Sequence, residues 1–174
     1  TLLPTLSATA ISPTARARCT RALIVHCVGL SLAMALYALG LTRAAGVAQL
    51  LVVLAAVLVI QPVLATVMGR SPRLTTATVA VIAGLLWMLA LYAGDAISAA
   101  VGAYPRTITL VLLPAFLGAG LLQLVTGVLH HLLPILTGAR PDTTERTGYA
   151  RLLLINLGGL LTLLGASAAG PVSY

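Results

Sequence analysis

Five polar side chains stand inside long apolar stretches, and their chemical types could hold a cofactor. Two imidazoles on different helices can ligate a haem axially, and a quinone carbonyl can accept a hydrogen bond from a His or Asn side chain. Their positions predict that they meet in one layer, and we interpret that layer as a haem, metal or quinone site. The residues are His26, Gln61, His130, His131 and Asn156.

Within this candidate layer, His26 and His131 are the predicted metal ligands. His130 and His131 are adjacent, and adjacent side chains on an α-helix point about 100° apart, so both can hardly serve one ligand. A second interpretation stays open, in which each polar group is satisfied by a neighbouring helix or faces lipid headgroups. Both interpretations follow from the high free energy of a polar side chain inside a membrane.

The composition indicates that lipid surrounds the elements that carry these residues. The chain is 60% hydrophobic and 7% charged, with a mean hydropathy of +1.09. Such a chain would expose too much apolar surface to remain in water. The net charge of +7 comes from Arg residues near the ends of apolar stretches, where they reach phosphates of the bilayer. We therefore expect a lipid bilayer partner and no nucleic acid.

A membrane-spanning helix needs about 20 apolar residues. The chain is predicted to be an all-α integral membrane protein, a multi-pass bundle of about five transmembrane helices in the plasma membrane, with residues 1–174 as a single domain. The fourth stretch would be about 45 Å long as a continuous helix, so Pro114 and Pro134 are predicted points of irregularity. The predicted spans are 22–42, 47–68, 75–97, 107–138 and 151–169.

The Arg residues predict the orientation of the bundle. Cytoplasmic loops carry an excess of positive charge. Three Arg residues precede the first span, two follow the second and three follow the fourth, whereas only Arg43 and Arg106 lie on the other side. This distribution predicts a cytoplasmic start and an extracytoplasmic Tyr174.

Pairs of small residues at helical spacing predict where helices approach each other closely, because small side chains let backbones come near. Such pairs are common in membrane proteins and indicate packing. The predicted pairs are Gly29 with Ala33, Ala115 with Ala119, Gly120 with Gly127, and Gly158 with Thr162.

Motifs for soluble catalysis are not found. Cys19 and Cys27 have neither the spacing nor the setting of a CxxC site, and the sequence has no HExxH, GxSxG, P-loop or dinucleotide fingerprint. Asp95 is the acidic residue at the end of a span. It is interpreted either as a proton-entry group or as a carboxylate exposed to water. These observations exclude hydrolysis and phosphoryl transfer.

Three segments carry a resemblance to a known group of proteins. The run 118–138 ends in Leu-Leu-Pro-Ile-Leu-Thr-Gly, the run 151–159 contains Ile-Asn-Leu-Gly-Gly, and the run 84–90 reads Gly-Leu-Leu-Trp-Met-Leu-Ala. Together with Thr-Leu-Leu-Pro-Thr-Leu at 1–6, they resemble the membrane-anchor region of actinobacterial multicopper oxidase and copper nitrite reductase fusion proteins. The run 118–138 is also similar, more distantly, to haem-copper oxidase subunit I. Where the anchors of the multicopper oxidase and copper nitrite reductase proteins usually have a small residue and Tyr, this chain has His130 and His131.

The resemblance implies a membrane subunit or fragment of a respiratory-type oxidoreductase. Such a module would anchor an extracytoplasmic copper or haem centre and pass electrons between quinone and that centre, with other membrane subunits or the rest of a larger chain as partners. A start at Thr1 without Met agrees with a fragment. The alternative is a non-catalytic structural or assembly subunit of a larger membrane complex. A transporter half would require an inverted repeat, which the sequence does not show.

Overall fold

A computed structural model describes residues 13–70, 75–103, 112–137 and 145–168, and these residues form helices and no strands. Five helical stretches are long and apolar enough to cross a membrane, which confirms the predicted all-helical membrane protein. The helices are α1 (Pro13–Ala38), α2 (Thr42–Arg70), α3 (Thr76–Val101), α4 (Gln123–Thr137) and α5 (Glu145–Ala168), with a π-helical segment, Phe116–Leu122, directly before α4.

Specific capping residues set the helix ends. Gly40 has φ +75°, and the amides of Gly40 and Leu41 donate to the carbonyls of Tyr37 and Leu36, so α1 ends in a Schellman motif. Gly102, with φ +79°, ends α3 in the same way. At the start of α3, the Thr75 hydroxyl accepts a hydrogen bond from the Thr78 amide at 3.3 Å.

The helices extend beyond the predicted apolar spans. Helix α1 begins at Pro13 rather than residue 22, since no helix-breaking residue interrupts 14–21 and Pro is well suited to a first helical position. Helix α2 includes Arg43, which was expected in a loop. Helix α4 continues through position 134 to Thr137, so Pro134 does not end it. Part of the predicted span 107–138 lies outside the described residues.

The chain divides into two compact units. Unit 1 comprises residues 1–71 and 89–109, and so contains α1, α2 and the second half of α3. Small side chains form much of its core, and Ala33, Ala45 and Ala48 are at most 3% exposed. Gly29 packs against Val52, where a Cβ would stand 2.8 Å from the Cγ2 atom. Gly29 and Ala33 are both buried, as predicted.

Unit 2 comprises residues 72–88 and 110–174, and so contains the first half of α3, the π-helical segment, α4 and α5. A Cβ on Gly84 would stand 2.9 Å from the Gly120 carbonyl oxygen, and one on Gly127 would stand 2.9 Å from the Ala77 oxygen. The backbones therefore nearly touch along these elements. The pair Gly120 and Gly127 is buried, whereas Gly158 is exposed and a Cβ built on it would meet no atom of the described residues within 4 Å.

The π-helical segment keeps one stripe of residues turned toward the interior of unit 2. Ala115, Ala119, Gln123 and Gly127 follow each other at intervals of four, and all are buried. In a continuous α-helix, four residues overshoot a full turn by about 40°. A π-helix has more residues per turn, so each residue turns through a smaller angle and offsets this drift. The segment is thus the reason that Gln123 faces inward.

Candidate functional site

A partly open cleft of about 30 Å³ lies within unit 2. Three elements supply its walls: the first turns of α3 and α5, and the face of α4 that begins at Gln123. The walls are mostly apolar, with a few convergent polar side chains. The lining residues are Thr76, Ala77, Ala80, Gln123, Thr126, Gly127, His130, Gly148, Arg151, Leu152 and Ile155.

Gln123 is the most unusual residue of this cleft. It is 0% exposed, and neither its Nε2 nor its Oε1 atom has a hydrogen-bond partner among the described residues. Buried side-chain amides in proteins are nearly always hydrogen-bonded, so an unpaired one indicates a functional or hydrated position. Gln123 also stands near the middle of the span Leu112–Leu133, where lipid offers no partner.

The outer edge of the cleft is polar and positively charged. His130 and Arg151 both line it and are exposed, and Thr76 stands at the start of α3. His130 lies two helical turns beyond Gln123, about 10 Å along α4. Between them, the Thr126 hydroxyl donates to the Leu122 carbonyl at 2.7 Å. The cleft therefore joins an exposed, basic edge to a buried amide.

The volume limits what the cleft can hold. A cavity needs a volume of at least about 10–15 Å³ to hold one water molecule, whereas a cavity that binds benzene has a volume of about 150 Å³. A cleft of about 30 Å³ accommodates one or two water molecules, or a single carbonyl or hydroxyl group that enters from outside. A complete quinone ring is too large for it.

The predicted site residues fall in both units. His26 is half-buried on α1 and Gln61 is exposed on α2, both in unit 1. His130, His131 and Asn156 belong to unit 2, where His131 is half-buried and only His130 lines the cleft. The described residues contain no group of three or more His, Cys, Asp or Glu side chains placed to hold a metal ion.

Asn156 is engaged within unit 2. Its Oδ1 atom accepts a hydrogen bond of 2.6 Å from Trp87 Nε1, and its Nδ2 atom donates to the Leu152 carbonyl at 2.7 Å. Next to this pair, Gly159 packs against Ala119 and the Trp87 ring. A cofactor contact at Asn156 would have to compete with these bonds.

A second polar cluster lies in unit 1 and was missed by the sequence analysis. The Tyr37 hydroxyl donates to Gln49 Oε1 at 3.1 Å, and Tyr92 also bonds the Gln49 side chain. Asp95 is half-buried nearby, and its charge acts on both tyrosine hydroxyls. The signal in the sequence was a glutamine within an apolar span, the same signal that singled out Gln61.

Comparison of the chain with models of protein families, with curated proteins and with solved structures gave no match. The site therefore rests on its geometry alone.

Proposed function

We propose that the chain is a membrane subunit or fragment of a respiratory-type oxidoreductase. It anchors an extracytoplasmic copper or haem centre and takes part in electron transfer between that centre and quinone in the plasma membrane. The catalytic metals belong to other subunits or to other parts of a larger chain. Five helices that can cross a membrane support the anchoring role.

The packing of unit 2 carries this proposal. The three described segments behind the resemblance to copper-oxidase membrane anchors come together there. The Trp87–Asn156 hydrogen bond links two of them, and the contact of Gly159 with Ala119 adds the third. Residues chosen from distant parts of the sequence thus form one packed structure, as expected if they are a shared module.

The histidines are candidates for cofactor contacts at the surface of this module. His26 and His131 are both half-buried, and neither imidazole has a hydrogen bond among the described residues. Each is thus available to a haem or copper held between this chain and its partner.

Spectra of variants test this role. We expect His26→Leu or His131→Leu to lower the haem or copper content of the purified native protein. His130→Leu is the matched control, because His130 lines the cleft of unit 2 and is not one of the two predicted metal ligands. Unchanged metal content in both test variants would exclude these ligands.

We infer a cytoplasmic start from the positive-inside distribution of Arg residues. Cys19, near the start of α1, provides the test once Cys27 is replaced by Ser. An impermeant maleimide should label Cys19 in inverted vesicles and leave it unlabelled in right-side-out vesicles. The reverse pattern would overturn the orientation.

A structural or assembly subunit is the second candidate, and one observation favours it. Asn156 was expected to contact a cofactor, yet its amide is already hydrogen-bonded to Trp87 and Leu152. Polar groups satisfied in this way stabilise packing. A native chain that purifies without haem, copper or quinone would favour this second role.

A further inference from the structure

The cleft of unit 2 leaves one buried polar group without a partner. Gln123 has a donor and an acceptor, both buried and both unpaired among the described residues. Burying an amide without hydrogen bonds is strongly unfavourable, and the bilayer core offers none. An occupant of the cleft that both donates and accepts hydrogen bonds would remove this penalty.

Size selects among such occupants. The cleft volume of about 30 Å³ matches one or two water molecules. Water also satisfies both halves of the amide, since it donates to Oε1 and accepts from Nε2. A ring-containing ligand or a lipid headgroup exceeds the space next to Gln123.

Charge disfavours a cation. Among the described residues that line the cleft, none is acidic, and Arg151 places a positive charge at its edge. A cation there would meet repulsion without a carboxylate to balance it. Neutral water meets no such barrier, and the side chains of His130 and Arg151 at the edge of the cleft are exposed from the protein.

We propose that this cleft is a hydrated inlet, in which one or two ordered waters bond the Gln123 amide and the exposed side chains of His130 and Arg151 form the edge. It brings water to the middle of a membrane span, about 10 Å deeper than His130 along α4. The inlet goes beyond the redox role proposed above and does not depend on it.

The three glutamines of the chain provide a direct test in the unaltered protein. Gln49, Gln61 and Gln123 are the glutamines of this sequence, so ¹⁵N labelling of glutamine side chains gives one amide signal from each. Solid-state NMR in bilayers can measure how fast water protons transfer magnetisation to each. Gln49 is the matched control, because it is also buried but hydrogen-bonded to tyrosines.

We expect transfer from water to Gln123 to be several-fold faster than transfer to Gln49. Single Gln→Leu variants at positions 49 and 61 identify the signals, so Gln123 itself need not be changed. Ala80→Leu, which fills the cleft, should reduce the Gln123 transfer to the Gln49 rate.

Two results would overturn the inlet. Transfer to Gln123 as slow as transfer to Gln49 would show a dry amide. Fast transfer from lipid protons in place of water would show that a lipid oxygen occupies the cleft.

Discussion

Trp87 and Asn156 lie 69 positions apart in the chain and are joined by a hydrogen bond of 2.6 Å from Nε1 to Oδ1. The bond ties the first half of α3 to α5 within unit 2. Among the described residues, 11% of the apolar window of α5 is buried, and this bond adds a polar contact to the packing of Gly159 on Ala119.

A double-mutant cycle on this pair should reveal a favourable coupling of about 1 kcal/mol, since interhelical hydrogen bonds in membranes contribute about 0.6 on average and 1.7 at most. The variants are Trp87→Phe, Asn156→Leu and the double change, and the measurement is the free energy of unfolding in bicelles. Thr162→Val is the control, because its hydroxyl bonds only the Gly158 carbonyl of its own helix. Additive effects of the two changes would contradict the bond.

The close approach of α3 to the π-helical segment predicts a steric effect. Gly84→Ala places a Cβ 2.8 Å from the Leu124 nitrogen and 2.9 Å from the Gly120 oxygen, both backbone atoms. We expect a loss of about 1–3 kcal/mol, typical of overpacking. Gly158→Ala, with nothing within 4 Å, should be neutral or stabilising by up to about 1 kcal/mol. Equal thermal stability of the two variants would argue against this packing.

The end of α1 predicts a backbone effect without a steric one. Gly40 has φ +75°, and no atom of the described residues lies within 4 Å of a Cβ built there. Gly40→Ala should destabilise by about 1–2 kcal/mol, because L side chains disfavour the left-handed region. Gly40→Asn should lose less, since Asn tolerates this region. A lower unfolding temperature for Gly40→Asn than for Gly40→Ala would show that the Schellman cap is not formed as described.

The cluster around Gln49 predicts unequal effects of its members. Gln49→Leu removes the partner of two tyrosine hydroxyls and should lower the free energy of unfolding by about 1–3 kcal/mol. Tyr37→Phe removes one donor and should lower it by about 0.5–1.5 kcal/mol. Gln61→Leu, at an exposed position, should change the free energy of unfolding by less than about 0.5 kcal/mol. An effect of Gln49→Leu as small as that of Gln61→Leu would show that the cluster does not form.

Hydropathy was sufficient to predict the five membrane-length helices that the described residues form. Apolar length is set by bilayer thickness, so stretches such as 47–68 and 75–97 correspond well to α2 and α3. Spacing of small residues also predicted the burial of Gly29 with Ala33 and of Ala115 with Ala119. The ends of helices were less predictable, because polar residues extended α1 back to Pro13 without any change in hydropathy to mark it.

The cleft of unit 2 differs in its residues from the layer that the sequence predicts. His130 was singled out and lines the cleft, but Gln123 and Arg151 were not assigned to it. The inward placement of Gln123 depends on the π-helical segment, which alters the turn per residue and cannot be read from a pattern of period 3.6. On α5, small residues at 158 and 162 suggested packing, while Gly159 one position later makes the contact.

The most direct test of the central claim is anaerobic addition of a short-chain quinol to the purified native protein, with its intact mass determined and its visible spectrum followed. A membrane module of a respiratory-type oxidoreductase predicts a mass above 17.7 kDa or co-purifying subunits, and haem or copper absorption that quinol reduces. A chain of 17.7 kDa that purifies alone with a featureless, unresponsive spectrum would contradict that claim.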